Sequence, residues 1–330
     1  MSDVINVKPR TIRMYACGGA AINQLRAYRD NHPADPEAHG DEKYSFIDTS
    51  FANLGGTSVS ETFTLKDADG SGSDRRKNAA LIKAALPEIM MNHQPGDFNI
   101  VIFSLSGGTG STSGPIILEE LLKSGKNAIA ITSATFTSGK KSRNAIDTLT
   151  GLETLVARVG RPVVVSYNPN DPTKTDNDNN LKPLFVMQTV AKLASGKNGH
   201  LDSSDVGNLF DFHKVTQYKP SLALLDVYAG EEQLPRDVKK PIGVAALLKN
   251  RESIMPPIDA AYDTVGYLPE DGKDYASSFY FVVSIDKLND VVKTMTELKA
   301  QAELRERVTN TVSSLVTVGQ QADEETGLIL

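Results

Sequence analysis

The residues of this 330-residue chain best suited to chemistry are Ser106-Gly107-Gly108-Thr109-Gly110-Ser111. Three glycines in one short run let the backbone approach a ligand closely. An unbroken apolar run, Asn99-Ile100-Val101-Ile102-Phe103-Ser104-Leu105, precedes them, and a helical pattern, Pro115-Ile116-Ile117-Leu118-Glu119-Glu120-Leu121-Leu122, follows. A buried strand therefore ends in a glycine loop that opens a helix. Such a loop aims free backbone N–H groups and the positive end of the helix dipole at one point, which suits phosphate. The hydroxyls of Thr109, Ser111 and Thr112 are expected to add donors. No Lys follows the last glycine, as a G-x-x-x-x-G-K-[ST] loop requires, and the spacing is not G-x-G-x-x-G.

The elements that position this loop read as an alternation. Strands are expected at Thr11–Ala16, Tyr44–Ile47, Phe98–Leu105, Ala128–Thr132 and Pro162–Ser166. Helices are expected at Ala20–Arg29, Arg76–Met91, Pro115–Lys123 and Ser142–Val159. Alternation of this kind predicts a parallel sheet covered on both faces, with ligands at the carboxyl ends of the strands. A polar loop, Asn168–Asn180, leads to a helix at Leu181–Leu193. Longer strands such as Ser221–Val227 and Phe279–Ile285 then predict a second α+β part, and an amphipathic helix is expected to pack on it. The division expected is a nucleotide-binding part at 1–180, a linking helix at 181–197, a second α+β part at 198–286, a long helix at 287–318 and an acidic tail at 319–330.

Composition narrows the function classes. Hydrophobic residues are 40% and charged residues 23%, which fits a soluble globular protein. A net charge of −6 gives no global basic field, so direct nucleic-acid binding is not expected. No apolar run approaches a membrane span, and the start lacks the basic and apolar segments of a signal peptide. The single cysteine, Cys17, excludes an intrachain disulfide and makes a reducing cytoplasm the expected compartment. Five scattered histidines show no metal-ligand spacing, so no protein metal cluster is expected.

Further loops give the glycine run its context. Ala16-Cys17-Gly18-Gly19-Ala20-Ala21-Ile22-Asn23 joins the first strand to the first helix. Ile47-Asp48-Thr49-Ser50 places an acid past the second strand. Asp69-Gly70-Ser71-Gly72-Ser73-Asp74 runs on to a helix, and Thr135–Arg143 carries basic residues at its end. In this order the set resembles the nucleotide loops of the tubulin/FtsZ superfamily. That resemblance implies GTP or GDP held by Gly18, Gly19, Asn23, Asp48, Gly72, Ser73, Ser106, Gly107, Gly108, Thr109, Gly110, Ser111 and Arg143. It implies Mg2+ near Asp48, and it implies a base read by Asn168 and by Asn179 or its rival Asn180. Ala20, Ala21 and Ser138 stand where the family has two glycines and a ribose-contacting Glu.

Asp202 and Asp205 lie three apart after the linking helix. Spacing alone reads as a helix N-cap with a second acid in the first turn. The resemblance implies a different use, as catalytic acids that complete the nucleotide site of the next subunit. His200 stands where the family has Asn. The implied protein is an α/β GTPase, most similar to the bacteriophage tubulins, that polymerises head to tail. Its cargo would be phage DNA or capsids attached through other proteins in the host bacterial cytoplasm. The tail Gln320–Leu330, acidic with an apolar tip, is the segment expected to dock on a neighbouring subunit. The alternatives are a non-hydrolysing tubulin-fold protein and a nicotinamide-dependent oxidoreductase.

Overall fold

A computed structural model describes residues 10–31, 40–196, 198, 200–235, 241–269 and 275–314. Lys197 and Gly199 of the acid loop and the whole 319–330 tail lie outside the described residues.

Ten strands among the described residues form one sheet in the order β3-β2-β1-β4-β5-β6-β7-β10-β8-β9. They are β1 Thr11–Cys17, β2 Asp41–Asp48, β3 Thr62–Thr64, β4 Phe98–Ser104, β5 Asn127–Ala134, β6 Val163–Pro169, β7 Leu222–Ala229, β8 Gly243–Leu248, β9 Tyr262–Tyr267 and β10 Phe279–Ser284. Strands β3 to β7 along that order are all parallel, and only β10 runs against its neighbours β7 and β8. The helices are α1 Gly19–Asn31, α2 Ala79–Asn92, α3 Gly110–Lys123, α4 Gly139–Val159, α5 Asp176–Ala194, α6 Ser203–Phe210 and α7 Leu288–Ser314.

Both faces of the sheet are covered. In β4, Phe98, Ile100 and Ile102 pack with Ile22 and Leu25 of α1, Val190 of α5 and Leu209 of α6. The alternate residues Val101 and Phe103 pack with Ile82 of α2, Ile117 of α3 and Leu152 of α4. This two-sided burial explains why the strand reads as a continuous apolar run rather than an alternation.

Several expectations change. Helix α3 begins at Gly110, five residues before Pro115, and α5 begins at Asp176, seven before Pro183. A proline is favoured in the first turn of a helix because it lacks an N–H, but both of these prolines lie deeper in their helices. In α3 the carbonyl that Pro115 cannot serve, that of Ser111, instead accepts from Arg75 Nη2 at 3.4 Å. At α5, Thr175 and Asp178 make a reciprocal capping box that fixes the start inside the expected polar loop. The carboxyl-half strands continue the first sheet through parallel pairing of Val163–Val165 with Leu222–Leu224. Helix α7 packs chiefly on α4 of the first part and touches the second part only at its edge, near Leu222. Its Met295 joins the cluster of Leu149 and Leu152 on α4.

Candidate nucleotide site

Three loops close on one another at the carboxyl ends of β1, β2 and β4. Gly18, at φ +81°, turns the chain from β1 into α1, and its N–H bonds the carbonyl of Ile47 at 2.8 Å. A Cβ at Gly18 would stand 2.8 Å from the backbone N of Gly110. One at Gly110 would stand 2.5 Å from the carbonyl oxygen of Cys17, and one at Gly108 would stand 2.6 Å from the Ser71 Cβ. These glycines are small so that loop backbones can touch. Gly107 and Gly72 differ: an added Cβ meets only Ser104 at 3.9 Å in the first case and nothing within 4 Å in the second. They border open space. Gly70, Gly72 and the non-glycine Ser73 all have positive φ, so the third loop is held in a sharply turned path.

The loops surround a cavity of about 280 Å³ lined by Gly18, Gly19, Asp48, Gly72, Gly107 and Thr109, among others. Ser73, Gly108 and Gly110 also line it. Hydroxyls knit the walls. Thr109 Oγ1 lies 2.7 Å from Thr49 Oγ1 and 3.0 Å from Ser71 Oγ, and Asn78 Nδ2 donates to Ser71 Oγ at 3.1 Å. Asp48 is buried. Its carboxylate accepts from the Thr49 N–H and from Asn53 Nδ2, both at 2.7 Å. Burial pushes the Cys17 thiol, on the cavity wall, up to about 12, so it stays protonated. Thr49, Asn53, Ser71 and Asn78 were not named as site residues from sequence. Their only signal was a polar type at a strand or loop end.

The remaining named residues divide. The N–H groups of Thr112 and Ser113 bond Thr109, so the orphan donors of the α3 start are those just before them. The Ser111 hydroxyl turns back onto the carbonyls of Gly107 and Gly108, and that of Thr112 onto Gly108 at 3.0 Å, so neither is a donor to the cavity. Ser106 Oγ ties the loop to Thr135, donating to its carbonyl at 2.9 Å and accepting from its N–H at 2.8 Å. Arg143 is off the cavity; its Nη2 lies 3.4 Å from Glu303 of α7. Asn23 is exposed on α1. Asn168 is buried in β6. Its Nδ2 donates to Thr132 O and Ser166 O, while its Oδ1 is buried with no partner. Asn179 has both amide ends on the chain, accepting from Asp171 N at 2.8 Å and donating to Asp171 O at 3.1 Å. Asn180 faces α1 instead, accepting from Gln24 Nε2 at 3.0 Å. Of the two rivals, Asn180 is the one turned toward α1, the helix that leaves the Gly18–Gly19 loop.

Asp202 and Asp205 are brought together, but not with the cavity. Asp202 Oδ1 accepts from Ser204 N at 2.7 Å and Asp205 N at 3.0 Å, while Asp205 Oδ2 accepts from Asp202 N at 3.0 Å. This is the helix start that spacing predicted. The two N–H donors hold the Asp202 carboxyl below its usual range, so it stays ionised. Arg10, just before β1, is within electrostatic reach of both acids, and Gly207 of α6 lies against Asn127 at the start of β5. The acids therefore sit at the amino ends of the strands and the glycine loops at the carboxyl ends. Seven residues of β1 separate the two ends by about 23 Å. His200, at φ +71°, stacks edge-on against Tyr267 with centroids 5.5 Å apart.

This arrangement has close relatives. A phage tubulin-like protein of Pseudomonas phage PhiPA3 is 28% identical over 296 residues, covering 88% of this chain and 90% of the relative. The solved protofilament of TubZ from bacteriophage PhiKZ is 25% identical with a TM-score of 0.79, covering 97% of this chain and 99% of that one. In sequence along most of its length and in fold, the chain is similar to the phage tubulins of the tubulin/FtsZ superfamily. No family model matches it. A further phage tubulin structure, PhuZ with GDP, shares the fold at 22% identity with a TM-score of 0.79 over 97% of this chain and 99% of that one. Among the described residues of this phage-tubulin-like chain, no helix is long and apolar enough to cross a membrane, and no group of His, Cys, Asp and Glu is arranged to hold a metal ion by itself.

The backbone contact at Gly110 gives a direct test of the loop packing. Alanine favours helix over glycine by about 1 kcal/mol. Here its Cβ meets a backbone oxygen that cannot turn aside, and overpacking costs about 1–3 kcal/mol. Gly110→Ala should therefore lower stability in urea denaturation, whereas Gly107→Ala, at an open position, should leave it nearly unchanged. Equal stability of the two variants would show that the loops do not touch in this way.

Proposed function

We propose that this chain binds and hydrolyses GTP and assembles head to tail into filaments, each junction forming one complete site. The observation that carries this reading is the separation of the glycine-loop cavity from Asp202 and Asp205 at opposite ends of the sheet. One subunit cannot bring its own acids to its own cavity, so a stacked neighbour must supply them. Such a contact is heterologous and does not close. The relatives solved as a TubZ protofilament and as PhuZ with GDP support the same reading.

The residues fit the nucleotide. Gly107 and Gly72 leave room for phosphate against bare backbone, and the α3 start supplies N–H donors and dipole. The orphaned Oδ1 of Asn168 is an acceptor suited to a base N–H. Asn180, rather than Asn179, is the second base contact in this reading, because the Asn179 amide is already spent. Mg2+ would be held through the Asp48 carboxyl group and the hydroxyls of Ser71 and Thr109, and would neutralise charge on the phosphates. At the junction, Asp202 and Asp205 orient a water toward the γ-phosphate, which is positioning rather than covalent chemistry. Phe51, beside the cavity-lining Ser50 and Asn53, is 77% exposed and becomes part of the buried junction. We further read 1–180, 181–197, 198–286 and 287–318 as the working parts, with phage DNA or capsid as cargo through other proteins.

Asp202→Asn separates chemistry from structure, since Asn caps a helix start about as well as Asp. The variant should fold, bind GTP and assemble, but release phosphate at least ~100-fold more slowly, as a lost positioner does. Phosphate release at the normal rate would remove Asp202 from the reaction. The 319–330 tail is the segment we assign to docking on the neighbour, its acids steering it and its aliphatic tip burying area. Deleting Gln320–Leu330 should raise the critical concentration for assembly without changing GTP binding. An unchanged critical concentration, measured by sedimentation, would leave the tail without that role.

A further inference from the structure

The first turn of α4 is held from two sides. On one side stands α7. Glu306 Oε1 accepts from the Gly139 N–H at 2.8 Å, across 167 residues of sequence. A Cβ at Gly139 would stand 2.8 Å from Glu306 Oε2 and 3.1 Å from Glu303 Cγ, so any larger residue there must move those two glutamate side chains. Glu303 adds an ion pair to Arg143 at 3.4 Å. On the other side stand the nucleotide loops. Lys140 Nζ donates to the Gly72 carbonyl at 3.1 Å. Asn144 Nδ2 donates to the Ser73 carbonyl at 2.9 Å and to the Ser106 carbonyl at 3.2 Å.

The first N–H of a helix has no partner within its own helix, and a carboxylate is favoured at that end of the dipole. Glu306 supplies both hydrogen bond and charge from the far end of the chain. The same turn then presents Lys140 and Asn144 to the backbone of Gly72 and Ser73. A displacement of either partner is felt by the other through one helical turn. We propose that Glu306 is a positioning residue that couples the long carboxyl helix to the Gly72–Ser73 loop, and through it to nucleotide retention. The nucleotide half of this statement rests on the reading in the preceding subsection. Coupling of this kind is reciprocal: what holds α7 in place also holds the loop.

Two measurements on the full-length protein test it. The first uses no nucleotide. Amide hydrogen exchange is followed in peptides covering 70–76 and 139–144 for wild type, Glu306→Ala, Glu306→Gln and Gly139→Ala. Glu306→Ala removes acceptor and charge, whereas Gly139→Ala displaces the Glu306 carboxylate from the Gly139 N–H with every charge retained. Both should speed exchange at 70–76 by about 3- to 30-fold, the range of a carboxylate at a helix N-terminus. Exchange in β4 peptides should not change, and Glu306→Gln, which keeps an acceptor, should fall between Glu306→Ala and wild type. The second measurement is dissociation of fluorescent GTP, which should be faster by a similar factor in Glu306→Ala and Gly139→Ala. Exchange at 70–76 unchanged in both variants overturns the coupling. A uniform rise across the chain also overturns it, since that is a loss of global stability. Faster local exchange in a protein whose wild type binds no GTP would instead overturn the nucleotide reading and leave the mechanical coupling standing.

Discussion

Strand direction is the constraint on which the rest depends. Six strands run parallel from β3 across to β6, so every loop at their carboxyl ends faces one way. The glycine turns must then gather at one end, and any helix packed at the strand starts must lie at the other. α6, with Asp202 at its N-cap, is such a helix. No side-chain rotation bridges a seven-residue strand. The distance between the glycine loops and the acid pair is thus built into the sheet. It forces a junction between molecules if the two are to work together.

Glycine does two jobs at the cavity. At Gly18, Gly108 and Gly110 the missing side chain lets three loops contact backbone to backbone, which stiffens the walls. At Gly107 and Gly72 it leaves space. Stiff walls with a local opening are what a phosphate cradle needs, because donors that are already aimed cost no reorganisation when charge arrives. Hydroxyl pairs such as Thr49 with Thr109 serve the first purpose, as does the capture of the Ser111 hydroxyl by the carbonyls of its own glycine loop. Polar side chains here support the backbone that forms the surface.

Much of this was legible in the sequence where a physical signal was strong. The apolar run Asn99–Leu105 followed by three glycines marked β4, its loop and α3. The spacing of Asp202 and Asp205 marked a helix start. Other features had competing signals. Pro115 reads as a helix beginning, yet it lies inside α3, with Arg75 compensating at Ser111. The Thr175–Asp178 capping box was hidden in a run of asparagines and aspartates that also reads as loop. Asn179 and Asn180 differ by 100° around one helix, and only their partners, Asp171 and Gln24, separate them. Arg143 reads as a phosphate partner, yet Glu303, from the far end of the chain, takes its guanidinium. Contacts of that range leave no local trace.

The central claim is that catalysis needs residues from two molecules, and complementation between two inactive variants tests it most directly. Asp202→Asn keeps the cavity and loses the acid; Gly108→Val keeps the acids and puts bulk against Ser71 and Ser73 in the cavity wall. Mixed in equal amounts, the two create junctions that pair an intact cavity with intact acids. The account predicts that the mixture releases phosphate from GTP well above the sum of the two variants alone, with a rate that depends on their ratio. A mixture that hydrolyses GTP no faster than that sum, while co-sedimenting as mixed filaments, would contradict it.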